Sequence, residues 1–139
     1  MADSIKILVA MESGSPLQAL QVVLRDTAPG YSLHTTEDID HTVSELAGGE
    51  YDCAFIDAGP RRGDDVPVLE RLRSAAIETP VIVIRDGKNS PSISDMIEAG
   101  AVDCLEAENI TPERLALSIA SALRIAAAER RAAESAAKL

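Results

Sequence analysis

Aromatic side chains are nearly missing from this chain of 139 residues, which has one Phe, two Tyr and no Trp. Hydrophobic residues still make up 46%, so the core must be built from Val, Ile, Leu and Ala, with little left to stack on a flavin or nucleobase. Basic residues are scarce too. Lys and Arg number 13 against 23 Asp and Glu, a formal net charge of −10, which argues against nucleic acid as a partner because neutralising phosphates takes clustered cations. The two cysteines, Cys53 and Cys104, form no framework of spaced pairs and read as small buried hydrophobes. No apolar run is long enough to span a bilayer, and Met1-Ala2-Asp3-Ser4 lacks the basic and apolar regions of a signal peptide. The expectation is a cytoplasmic chain without membrane contact.

What is present is a regular alternation of short apolar runs and amphipathic stretches. Strands are expected at Ile5–Ala10, Tyr31–Thr35, Tyr51–Ile56, Pro80–Ile84 and Val102–Leu105. Helices are expected at Leu17–Arg25, Asp40–Ala47, Val66–Ala76 and Ser92–Glu98, with a last one opened by Thr111 as N-cap and Pro112 at its first position. Tyr31–Thr35 is the weakest strand and reads as an edge. The unbroken β-branched run Val81-Ile82-Val83-Ile84 fits a strand covered on both faces of a parallel sheet. Repeated βα units imply right-handed crossovers with helices on both faces. The fold class is therefore α/β: a single doubly wound, flavodoxin-like domain with five parallel strands in the order 2-1-3-4-5. Cys53 and Cys104 would then lie two strands, about 9–10 Å, apart, too far for a disulfide.

The domain is expected to occupy residues 1–125. Beyond Ile125 the chain reads Ala-Ala-Ala-Glu-Arg-Arg-Ala-Ala-Glu-Ser-Ala-Ala-Lys-Leu. Such strong helix formers extend the last helix over 126–139, either as a solvated end or as a connecting or dimerising helix leading to a further module.

In an open parallel sheet, ligands bind beyond the carboxyl ends of the strands. Glu12 follows the first strand, Asp57 ends the third and Asp86 follows the fourth. Glu12 and Asp57 fall on neighbouring strands and could share a hard cation such as Mg²⁺, with a backbone carbonyl near Gly59 as a further oxygen donor. Arg85, at the rim of this acidic edge, could pair with Asp57 or Glu12 in bidentate fashion. The loop Glu12-Ser13-Gly14-Ser15-Pro16 lacks the glycine spacing of a dinucleotide turn or a P-loop and reads as a helix-capping loop. His34 and His41 read as surface residues. Arg61-Arg62-Gly63-Asp64-Asp65 reads as a solvated loop near the acidic edge. No Ser-His-Asp or Cys-His set is visible.

Over Ile5 to about Arg124 the chain resembles the receiver domain of two-component response regulators. The resemblance rests on Tyr51-Asp52-Cys53-Ala54-Phe55-Ile56-Asp57, Thr79-Pro80-Val81-Ile82-Val83-Ile84, Glu98-Ala99-Gly100-Ala101-Val102-Asp103-Cys104-Leu105 and the helix through Leu115–Leu123. It implies that Asp57 matches the aspartate phosphorylated by a histidine kinase, and Glu12 the second of two acids that hold Mg²⁺. The first acid of that pair falls on Met11, the hydroxyl residue after the fourth strand on Arg85, the aromatic switch residue on Cys104, and the lysine near Ala107, between Glu106 and Glu108. With four positions altered, the resemblance implies a signalling domain rather than an enzyme, with a degenerate site and a weak or lost Mg²⁺ site. It would either accept phosphate poorly at Asp57 or, the favoured mode, work through phosphorylation-independent contacts with an output domain or a second copy, across the faces of the last two helices or the terminal extension. The competing reading is a small ligand-binding or enzymatic flavodoxin-like domain, since fold alone does not fix function.

Overall fold

The computed structural model describes residues 5–10, 22, 31–58, 65–85 and 92–137, with the backbone alone at 57, 58, 65–68, 109 and 137. The expected helix Leu17–Arg25 lies outside the described residues apart from Val22. The described elements are β1 (Ile5–Ala10), β2 (Tyr31–Thr36), α1 (Ile39–Ala47), β3 (Cys53–Ala58), α2 (Asp65–Ser74), β4 (Val81–Arg85), α3 (Ile93–Glu98), β5 (Asp103–Glu106) and α4 (Pro112–Ala137). All strand pairs are parallel and the order is β2-β1-β3-β4-β5. The doubly wound α/β architecture expected from the chain is the one observed, with β2 at an edge.

Strand alternation sorts the core into two layers. On one face Leu8, Ala54, Ile56 and Val83 pack with Leu46 of α1, Leu69 and Leu72 of α2, and Met96 of α3. On the other, Ile7, Val9, Phe55, Ile82, Ile84 and Leu105 pack with Leu115, Ile119 and Ala122 of α4. Both faces are covered, which is why the strand sequences are continuously apolar rather than alternating.

Three of the described helices, α1, α3 and α4, begin on side-chain caps. The Asp38 carboxylate accepts from the His41 N–H (2.7 Å), Ser92 from Asp95 (3.1 Å) and Thr111 from Arg114 (3.1 Å). Gly49, just past the C-cap of α1, has φ of 73°, a left-handed turn that glycine adopts without strain. The last helix runs 26 residues to Ala137, and the described residues from Ala128 onward are exposed. Among the described residues no helix is long and apolar enough to cross a membrane.

One buried polar contact fixes the end of β2 to α1. Thr36 and Thr42 are 2% and 1% exposed, and their hydroxyl oxygens lie 2.7 Å apart. Thr42 donates its single hydroxyl proton to the Asp38 carbonyl at 2.8 Å, so Thr36 must be the donor in the pair. Thr42→Val should therefore cost about 1–3 kcal/mol, because it strands a buried donor. Thr36→Val, which leaves Thr42 bonded to Asp38, should cost distinctly less. Urea midpoints of the two variants check this asymmetry.

Candidate functional site

The carboxyl ends of the central strands carry the candidate site. In register, Asp57 stands opposite Ile84, Ala58 opposite Arg85, and Arg85 opposite Glu106. The strands end later than their sequence suggests. β3 spans Cys53–Ala58 where Tyr51–Ile56 was expected, β4 reaches Arg85, and β5 reaches Glu106. Asp57, Arg85 and Glu106 thus belong to the sheet itself, and Ala107 opens the short 3₁₀ turn Ala107–Asn109 that follows β5.

Arg85 Nη1 donates to Glu106 Oε2 at 3.0 Å, with side chains 19% and 30% exposed. Partial burial sets this pair apart from an ordinary surface salt bridge, which contributes little. The partner of Arg85 among the described residues is therefore Glu106. The reason is register, which places the two directly opposite on adjacent strands, on the face that also carries Cys104. Glu12, Met11, Gly59, Asp86 and the Asp57 side chain lie outside the described residues, as does the loop 59–64, so the expected contacts of Arg85 with Asp57 or Glu12 lie outside them too. Arg85 Nε is buried and has no hydrogen-bond partner among the described residues, an arrangement that costs about 1–3 kcal/mol relative to a satisfied donor.

Cys104 sits two residues before Glu106, half-buried, with its thiol 3.6 Å from the Met96 sulfur. Burial pushes the Cys104 thiol up to about 11; the Arg85 charge pulls it back, while Glu106 and Asp103 push it further up. It is a packed, protonated thiol, not a nucleophile. Asp103, at the start of β5, accepts from Ser118 Oγ at 2.7 Å, from Arg114 at 3.4 Å and from the Cys104 N–H at 2.8 Å. These bonds lash β5 to α4.

A second polar cluster, unforeseen in the sequence, gathers around Glu45 of α1. Tyr51 donates to Glu45 at 2.8 Å, while the His34 and His41 imidazoles lie 3.5 and 3.9 Å from its carboxylate. Lys6 lies 5.7 Å from the Tyr51 ring centroid. Only the i,i+4 spacing of His41 and Glu45 hinted at it; the rest depends on β1, β2 and α1 meeting. Among the described residues no group of three His, Cys, Asp or Glu side chains is placed to hold a metal. A cleft of about 250 Å³ between α2, α3 and the start of β4, lined by Leu72, Arg73, Ile77 and Gly100, contains none of the residues of the Arg85–Glu106 row.

This architecture is the receiver-domain fold of the two-component response regulators. A response regulator receiver domain protein from Clostridium thermocellum superposes with a TM-score of 0.72 at 17% identity, over 86% of this chain and 94% of that one. The response regulator StyR superposes with a TM-score of 0.77 at 18% identity, over 97% of this chain and 67% of that one. In sequence, the transcriptional regulatory protein DltR of Streptococcus agalactiae is 29% identical over 98 residues, which is 70% of this chain and 43% of DltR. The chain thus spans less than half the length of the curated relative it matches. No family model matches it.

Proposed function

We propose that this chain is a receiver-type signalling domain with an altered phosphorylation site, in which Asp57 holds the phosphoacceptor position. It acts chiefly through contacts that do not require phosphate, as a protein–protein module and not as an enzyme. The observation that carries this reading is the Arg85–Glu106 ion pair at the ends of β4 and β5. By the resemblance, a hydroxyl residue belongs at position 85, where it would bind a phosphoryl oxygen, and an aromatic at position 104 would report it. Here the first is a guanidinium already neutralised by a carboxylate, and the second is a packed thiol.

The donor chemistry agrees. Glu12, Asp57 and a carbonyl at Gly59 are hard oxygen donors suited to Mg²⁺, but Met11 offers a thioether where a second acid would stand. Mg²⁺, when bound, would offset charge on a transferred phosphoryl group; with one carboxylate fewer it is held more weakly. Ala107 supplies no cation to assist.

Partners would be a histidine kinase, an output domain or a second copy. Ile93 and Ile97, one turn apart on α3, are 46% and 45% exposed, and Leu117 on α4 is 58% exposed. These exposed apolar side chains suit a protein surface, and the helical stretch 126–137 extends from the element that carries Leu117. DltR, a longer transcriptional regulator, supports an output module as one such partner.

Incubation with acetyl phosphate and Mg²⁺, read by intact mass, tests the reading. A slow, partial phosphoryl adduct is expected on the wild-type chain and none on Asp57→Asn, with the same oligomeric state in both. Rapid stoichiometric labelling that changes the state of association would replace it with an ordinary phosphorylation switch.

A further inference from the structure

We propose that the cleft between the ends of α2 and α3 binds a small zwitterion with an apolar side chain, a free α-amino acid of the leucine type. Two helix endings build the cleft. At the end of α2 the Ala76 N–H donates to the Arg73 carbonyl at 3.0 Å and the Ile77 N–H to the Leu72 carbonyl at 3.1 Å. At the end of α3 Gly100 and Ala101 donate in the same pattern to Ile97 at 3.1 Å and Met96 at 3.0 Å. Both are Schellman turns, pivoting on positive-φ residues, Ala76 at 58° and Gly100 at 121°. The first turn folds Ile77 back onto the core layer that holds Leu72. Between the endings lie about 250 Å³ of space, floored by the buried Leu72, Val81 and Ala99. An apolar cavity of about 150 Å³ holds a benzene ring, so a branched or aromatic side chain fits here.

The charges on the lining choose the class of ligand. Arg73 and Glu78 both line the cleft, and among the described residues neither pairs with an opposite charge. Arg73 is held in place. Its Nη2 donates to the Glu98 carbonyl at 2.7 Å, and a Cβ at Gly100 would stand 3.3 Å from that nitrogen and 3.8 Å from Nε. Glycine thus gives the guanidinium its seat. A guanidinium carries five N–H donors, and the carbonyl takes one. Two helix C-termini with their partial negative charge, in a chain of net charge −10, disfavour a simple anion. Arg73 disfavours a simple cation. A zwitterion escapes both, with its carboxylate on Arg73, its ammonium on Glu78 and its side chain over the apolar floor. A few convergent polar groups around such a floor are how small-molecule pockets fix orientation.

The cleft opens at the amino edge of the sheet, because helices that link parallel strands return antiparallel to them. Val81 begins β4 there and Arg85 ends it at the other edge, ~13 Å away at the usual rise per residue. The site is therefore separate from Asp57, and its occupancy rests on nothing proposed for phosphorylation. A bound amino acid would tie α2 to α3 across the start of β4, giving the domain a small-molecule input.

The test titrates the full ¹⁵N-labelled chain with free leucine while the backbone amides of Ile77 and Gly100 are followed. Saturable shifts at both are expected, together with a rise in the urea midpoint. Arg73→Gln and Glu78→Gln should each weaken leucine binding roughly tenfold and remove that rise. Isocaproate, which lacks the ammonium, and isoamylamine, which lacks the carboxylate, should also bind roughly tenfold more weakly than leucine. Glu78 makes no polar contact among the described residues, so Glu78→Gln and the two analogues decide the matter even where Arg73→Gln loosens the end of α3. Absence of saturable shifts at Ile77 and Gly100 overturns the proposal. Undiminished binding in Glu78→Gln overturns it too, as does equal binding of either analogue, which would make the cleft a plain apolar groove.

Discussion

Replacing Phe55 by alanine should lower the free energy of unfolding by about 3–5 kcal/mol, a large part of the total stability of a domain this size. Phe55 is the only Phe in the chain and among the largest fully buried side chains, at 0% exposure. It lies in β3, the central strand of the order β2-β1-β3-β4-β5, opposite Val9 on one side and Ile82 on the other. The layer above it is α4, through Leu115 and Ile119. Removing the ring opens a cavity among aliphatic side chains anchored in strands, which relax only partly into it. The urea midpoint should fall sharply at unchanged m-value, with Phe55→Leu falling less. A loss below about 1 kcal/mol for Phe55→Ala would mean that the β3–α4 layer is not packed as described. Because β3 also carries Asp57, the same loss would show in any assay of the site, so stability has to be measured before function is compared.

The fold was legible because its strands are covered on both faces. Val81-Ile82-Val83-Ile84 can hardly be placed elsewhere, and the Thr111–Pro112 signal located the start of α4. The strand ends were less legible, each for a local reason. At the start of β3 the Asp52 carboxylate takes the Lys6 N–H at 2.9 Å, and Tyr51 turns aside to Glu45. Both residues look like strand in sequence and are spent on other contacts. At the far ends, Arg85 and Glu106 read as loop residues because they are charged, yet as a register pair they neutralise each other and extend the sheet. No local pattern reveals that pairing, since the partners are separated by 21 residues and meet only through parallel register. The same holds for the tie from Asp103 to Ser118 and Arg114. The altered positions Met11, Arg85, Cys104 and Ala107 could be read only against the resemblance. What Arg85 does instead came from the structure.

Stability should stay level up to about pH 9 and then decline as the pH climbs towards about 12, following two thiols and a phenol held protonated by the fold. Cys53 is 0% exposed, and burial, helped by the Asp52 charge, pushes its thiol from 9.0 up to about 12. The unfolded thiol ionises near its ordinary value while the folded one keeps its proton. Between the two, the folded state binds more protons, so stability is fully present below about 9 and is lost as pH rises through the folded value. Across that interval the loss from Cys53 alone is of order 4 kcal/mol at 1.36 kcal/mol per unit. Cys104, raised to about 11 but partly exposed, adds less. Tyr51, raised from 10.0 to about 12 first by burial and then by its bond to Glu45, acts in the same direction. Urea midpoints under reducing conditions, for wild type and Cys53→Ala, check this: the variant should lose most of the slope between about pH 9 and 12. The onset also reports on Arg85. Without the Glu106 charge the Arg85 guanidinium would favour the Cys104 thiolate and lower the pH at which it ionises. Glu106→Gln should therefore make Cys104 react faster with iodoacetamide at pH 8, and an unchanged rate would mean that Glu106 does not govern the charge at this edge of the sheet.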